Sequence, residues 1–268
     1  MQKISDTQYK SVYIYTLCTI ASLGTFLSGY MLAIFAPVQD YFTAFLYPDL
    51  TSAEIGFIIA CVPIGGAIGS SVAGSIASKL GRRPLILIVD LATVSASILS
   101  VVENVHVLMA SRFVLGLCVG FNSVISPLYQ IEIVPNPLRG IPGTFSQLFF
   151  TSGIFVVFVV GLFIPGKAGP KTELWKLLFL IPSLTSGLRL LLFLSVFRFE
   201  TPKYLVLNHQ EEEAEEVLGQ LYQKEAITEK LEELRVERSI ENTKGKKMRF
   251  SDLFKPRFRK RKIGRAHV

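Results

Sequence analysis

Arg112-Phe-Val-Leu-Gly116-Leu-Cys-Val-Gly120, continued by Pro127-Leu-Tyr129-Gln-Ile-Glu132-Ile-Val-Pro135-Asn-Pro137-Leu-Arg139-Gly140, is the stretch whose reading decides the fold. Its middle belongs to one apolar run, Val107–Ile131, broken by no charge except Arg112. Bilayer hydrocarbon about 30 Å thick takes roughly 20 apolar residues in a helix. The run therefore reads as one membrane crossing that ends in a proline-bounded polar loop carrying Glu132 and Arg139. Gly116 and Gly120, four residues apart, permit close approach by a second helix, a weak signal when taken alone.

Working outward, five more stretches meet or approach that length: Val12–Ala36, Ile55–Ala77, Leu85–Val102, Phe145–Ile164 and Leu174–Phe197. Half of the 268 residues are hydrophobic and the mean hydropathy is +0.44, too apolar for a soluble domain. Beyond Phe197 the composition turns polar. The expected fold is an all-α membrane protein: a six-transmembrane-helix bundle over residues 1–205 and a cytosolic helical tail over 206–249. Within that tail, Glu211–Tyr222 and Thr228–Glu241 read as charged amphipathic helices. Their narrow leucine stripes, Leu218 with Leu221 and Leu231 with Leu234, call for packing against a neighbour.

The formal charge of +7 invites a nucleic-acid reading, but the basic residues are spread over loops and a glutamate-rich tail, so no nucleic-acid partner is expected. Their placement orients the helices instead. Lys3, Lys10, Lys79, Arg82, Arg83, Arg139, Arg198 and Lys203 fall on one side, with only Lys167 and Lys171 against the pattern. Both termini are expected to be cytosolic. Cys18, Cys61 and Cys118 all lie inside apolar spans, without metal spacing or a disulfide framework. No cofactor is expected, and the isolated His106, His209 and His267 offer no catalytic set.

Two charges lie inside spans. Asp90 sits near the start of the third and Arg189 near the middle of the sixth. Asp90 is shallow enough to reach the headgroups or the loop arginines, whereas a charge at the depth of Arg189 is costly, so Arg189 is expected either to pair with Asp90 or to reach a polar channel. Trp175, at the outer end of the sixth span, reads as an interfacial anchor.

The loop Gly74-Ser-Ile-Ala-Ser-Lys-Leu-Gly81-Arg82-Arg83-Pro84 resembles the loop between helices 2 and 3 of the major facilitator superfamily, with Ser78 where an acid is usual. The Arg112–Gly140 stretch resembles the sugar porter branch of that superfamily. So do Gln147-Leu148 in the fifth span and Phe199-Glu200-Thr201-Pro202-Lys203-Tyr204-Leu205 after the sixth. The resemblance implies alternating access by two six-helix halves around a monosaccharide, hexose-like, at the bilayer midplane. The chain is then the amino-terminal half, with residues 250–268 approaching a seventh helix and the other six-helix half missing. Ile263–Val268 resembles one frame of a sequencing adapter and is expected to be artefactual.

Gln147 is the position that the resemblance carries over as a sugar contact, although a helix-packing amide would look the same. Phe26 and Tyr30, with Gly29, resemble an aromatic set facing that cavity. Arg82, Arg83, Glu132, Arg139 and Glu200 are expected to gather as a cytoplasmic gate. Proton-coupled relatives carry an Asp directly after the Gly-Tyr pair; here Met31 stands there, so facilitated diffusion is expected, with a proton-coupled or other organic-solute transporter as the alternative. The expected partners are the sugar, the lipid bilayer (that of the plasma membrane) and the missing half. A non-transporting six-helix sensor or scaffold is the reading from another class.

Overall fold

The computed structural model describes residues 9–135, 138, 140–165, 170 and 172–243. Six long helices form the bundle: α1 (Ser11–Ala33), α2 (Ser52–Leu80), α3 (Arg82–Leu99), α4 (Val105–Ile133), α5 (Gly140–Gly161) and α6 (Leu174–Ser195). Five of them are long and apolar enough to cross a membrane. The exception is α3, where Arg82, Arg83 and Asp90 dilute the run.

Several helices extend past their apolar runs because polar caps add turns that a hydrophobicity count does not see. Thr51 opens α2 with a reciprocal capping box: its side chain accepts from the Glu54 N–H while Glu54 reaches back. Asn104 opens α4 by accepting from the N–H groups of His106 and Val107.

The expected small-residue packing is realised along α2 and α4. A Cβ on Gly116 would come within 2.5 Å of the Val62 carbonyl, and one on Gly120 within 2.2 Å of the Gly66 carbonyl. Only hydrogen at these positions lets the two backbones meet, which lipid alone would not drive.

At one end of the bundle the tail folds back as α7 (Pro202–Leu207), α8 (Glu211–Leu221) and α9 (Lys224–Thr243). Leu218 and Leu221 are buried in the same apolar core as Ile14, Leu17 and Phe197, which Leu231 and Leu234 also join. The Lys10 N–H donates to the Leu221 carbonyl at 2.9 Å, and the Lys10 ammonium to that of Gly219 at 2.9 Å. Arg235 and Arg238 on α9 both clasp Glu211, at the start of α8.

At the opposite end a short turn, Gln39–Tyr41, runs into a π-helical segment, Phe42–Leu46. Trp175 is not an interfacial anchor. It is 1 % exposed and packs edge-on to Phe42 and Phe179, because that segment folds over the end of α6.

Candidate functional site

Four of the five residues expected at the gate meet at the tail end. Gly81 joins α2 to α3 with φ +100°, a left-handed conformation that excludes a side chain. A Cβ there would also come within 2.4 Å of Glu200 Oε2. This turn places the next two arginines back to back. The Arg82 guanidinium pairs with Glu132 at 2.8 Å, both nearly buried, and lies 5.1 Å from the centroid of the Tyr204 ring. Arg83 donates instead to the Phe193 and Phe197 carbonyls at the end of α6, where a cation complements the helix dipole. Its backbone N–H donates to Glu200 at 3.0 Å.

Thr201 links the two carboxylates. Its hydroxyl donates to Glu132 at 2.7 Å and its N–H to Glu200 at 2.8 Å. Burial pushes the Glu200 carboxyl above the ordinary range, opposed by the Thr201 and Arg83 N–H groups and the Arg82 charge, and reinforced by Glu132. The arrangement fastens α2, α3, α4, α6 and α7 together at one point. Thr201 and Tyr204 were not among the expected residues. Their signal was the Thr-Pro pair, an N-cap followed by proline at the first helical position. Arg139 lies outside the described residues.

Of the three residues expected at the sugar site, Phe26 and Tyr30 stay in ring contact on α1, with centroids 6.0 Å apart. Gln147 on α5 is exposed and makes one long bond, from its amide to the Thr151 hydroxyl at 3.4 Å. Phe26 is partly exposed on α1. Tyr30, against the expectation that it faces a cavity, is fully buried, and its hydroxyl donates to the Leu178 carbonyl of α6 at 2.9 Å. It ties α1 to α6, and Gly29 beside it is pressed against the Phe150 backbone.

Two buried arginines complete the polar interior. Arg112 on α4 is 1 % exposed, and among the described residues its guanidinium reaches the Met31 carbonyl, at 3.4 Å, and the face of Phe35. Arg189 on α6 pairs with Asp90 on α3, the first of the two outcomes that the sequence left open. Among the described residues, no group of three or more His, Cys, Asp or Glu is placed to hold a metal ion.

Residues 17–263 match the family described as "Sugar (and other) transporter". Human solute carrier family 2, facilitated glucose transporter member 3 is 30% identical over 258 residues, 88% of this chain and 50% of that protein. Plastidic glucose transporter 4 of Arabidopsis thaliana is 31% identical over 80% of this chain and 38% of its own length. Hexose transporter 1 of Plasmodium knowlesi is 26% identical over 86% and 49% respectively. Among solved structures, the major facilitator proton:xylose symporter XylE bound to 6-bromo-6-deoxy-D-glucose superposes with TM-score 0.79 at 25% identity, over 88% of this chain and 55% of that one. A partially occluded, inward-open form of XylE from E. coli gives 0.74 at 25% identity, over 87% of this chain and 60% of that one. The chain spans about half the length of these curated relatives.

Proposed function

The chain belongs to the sugar (and other) transporter family, a multi-pass membrane family of transporters and not of enzymes, and from that premise we propose that it forms the amino-terminal half of a monosaccharide transporter. The observation that carries this reading is the exposed amide of Gln147 on the face left open by α5. A side-chain amide offers donor and acceptor without a buried charge, which suits sugar hydroxyls. Phe26, in ring contact with Tyr30, supplies apolar surface, and Tyr30 acts by holding α1 against α6.

A second six-helix body is the proposed cover for that face. Gly56, Ala67, Gly74 and Ser78 are exposed along α2 at intervals close to whole helical turns. A Cβ on Gly56 or Gly74 would meet nothing within 4 Å, so their smallness serves no contact inside this half. The tail end is assigned to the cytosol and the membrane to the plasma membrane. Arg82, Arg83, Glu132, Arg139 and Glu200 are the proposed gate, facing partners in the other half. No nucleic acid takes part.

Facilitated diffusion is preferred over proton coupling, because Arg112 meets a backbone carbonyl at Met31 where a symporter would place a titratable carboxylate. The test is labelled-glucose and labelled-xylose uptake by the full-length protein in proteoliposomes, with internal pH clamped. Uptake that is weakened by Gln147→Ala and moves no protons is expected. Proton entry with sugar would overturn the uniport assignment, and unaltered uptake by Gln147→Ala would overturn the site.

A further inference from the structure

Threonines in the long helices of this bundle turn their hydroxyl hydrogens back onto their own backbone. Thr16, Thr19, Thr93, Thr144 and Thr185 each donate to the carbonyl four residues earlier, and Thr25 to the one three earlier. Thr151 on α5 differs. Among the described residues its hydroxyl donates to no carbonyl and instead accepts from the Gln147 amide, one turn away, at 3.4 Å. Gln147 gives one amide hydrogen to that contact, which leaves its second hydrogen and its carbonyl oxygen unpaired among the described residues. Side by side the two exposed residues present a hydroxyl donor, an amide donor and an amide acceptor.

Their depth makes this pairing informative. Thr151 lies midway along α5, a helix of 22 residues, where a polar group turned to lipid is costly. The rest of the same stripe is either satisfied or apolar. Thr144, towards the tail end, is exposed but bonded to Gly140. In the other direction Phe155 and Phe158 are 67% and 50% exposed. On this stripe the available hydrogen-bonding groups therefore belong to Gln147 and Thr151.

We propose that Thr151 is a specificity-determining residue which, with Gln147, grips two neighbouring hydroxyls of a pyranose. The Thr151 hydroxyl donates to the oxygen of one, and the Gln147 carbonyl oxygen accepts from the other. Thr151 takes this role only if the α5 face meets the sugar, as proposed above; what it adds is the part of the sugar that is read, a vicinal diol. Two adjacent hydroxyls can meet both residues at their 3.4 Å spacing, whereas a lone hydroxyl leaves one of them unpaired. In a site built to bond a hydroxyl, the analogue that lacks it is rejected for that reason.

The test is inhibition of labelled-glucose uptake, by the full-length protein in proteoliposomes, with the monodeoxy analogues of glucose, one for each hydroxyl. In the parent, deleting either of two neighbouring hydroxyls should weaken binding by about three- to tenfold, the scale of one neutral hydrogen bond. Thr151→Val keeps the shape and drops the hydroxyl. It should weaken glucose by the same factor, yet bind one of those two analogues as tightly as the parent does. Thr151→Ser should keep the parent pattern, and Gln147→Ala should become indifferent to the adjacent hydroxyl. Thr151→Val matching the parent for every sugar would overturn the proposal. So would its weakening glucose and all analogues by one common factor, which marks packing and not contact, or a pair of affected hydroxyls that are not neighbours. Unaltered uptake by Gln147→Ala removes the site and Thr151 with it, whereas a sensitive Gln147 beside an insensitive Thr151 removes only the role of Thr151.

Discussion

Arg189 on α6 lies against Asp90 on α3 with its Nε 3.0 and 2.9 Å from the two carboxylate oxygens, and both side chains are completely buried. The same guanidinium donates to Asn122 Oδ1 on α4 at 2.8 Å, while Ser186 donates to Asp90 at 2.8 Å. Gly24 of α1 closes the site, since a Cβ there would meet Arg189 Nη1 at 1.9 Å. Four helices thus converge on one ion pair.

Removing either partner leaves an uncompensated charge in a dry interior. Asp90→Asn or Arg189→Gln alone should cost about 3–5 kcal/mol, and the double variant should recover part of that loss. Thermal unfolding in detergent, run as a double-mutant cycle, checks this. Additive losses would mean that the pair is not coupled.

Gly81 and Gly74 make a contrast within one helix and its turn. Gly81 holds φ +100°, so Gly81→Ala forces a side chain into a region nearly confined to glycine, at about 1–3 kcal/mol, and drives it into Glu200. Gly74 sits within α2 with open space around its Cβ, so in this half Gly74→Ala should be neutral or stabilising by up to about 1 kcal/mol. Chemical denaturation of both variants measures the difference.

Five of the six long helices were legible because a membrane span declares itself by an uninterrupted apolar run, and the meeting of Arg82, Arg83, Glu132 and Glu200 because they sit at fixed offsets from glycine and proline. Rotation about each helix axis was not legible. That is why Tyr30 and Trp175, both in apolar runs, were read as facing a cavity and an interface while the structure buries both. Asp90 and Arg189 are 99 residues apart, and only the packing of α3 on α6 reveals which of two open roles they take. The short α7 was missed for a different reason: six residues are too few for periodicity, and only the Thr201-Pro202 cap announces it.

Glu200 gives stability a pH dependence of predictable sign. Its folded-state pKa is raised above the ordinary 4.5, chiefly by burial, so the folded chain binds the proton more tightly than the unfolded one. That contribution is fully present below 4.5 and is lost as pH rises through the folded value. Glu200→Gln should flatten the decline in unfolding temperature between about pH 4 and 8. An unchanged profile would place the titration elsewhere.

Among the described residues Arg112 is a buried cation with no carboxylate partner, and its guanidinium donates to the Met31 carbonyl at 3.4 Å. A guanidinium held in apolar surroundings gains from a counter-charge more than from a neutral dipole. Met31 is itself buried, on the helix that supplies that carbonyl, so Met31→Asp brings a carboxylate to the same contact, and Met31→Asn brings an isosteric amide without the charge. Met31→Asp should therefore unfold at higher temperature than Met31→Asn at neutral pH, by the equivalent of about 1–2 kcal/mol for a charge-assisted bond. The gap should close in acid as the new carboxylate takes up a proton. In the full-length protein the same substitution tests the transport reading, because a proton-sensitive group then sits where this chain carries Met31. Sugar uptake by Met31→Asp should become pH-dependent while that of the parent does not. Equal pH profiles would show that Arg112 is neutralised by the other half of the transporter and not through α1.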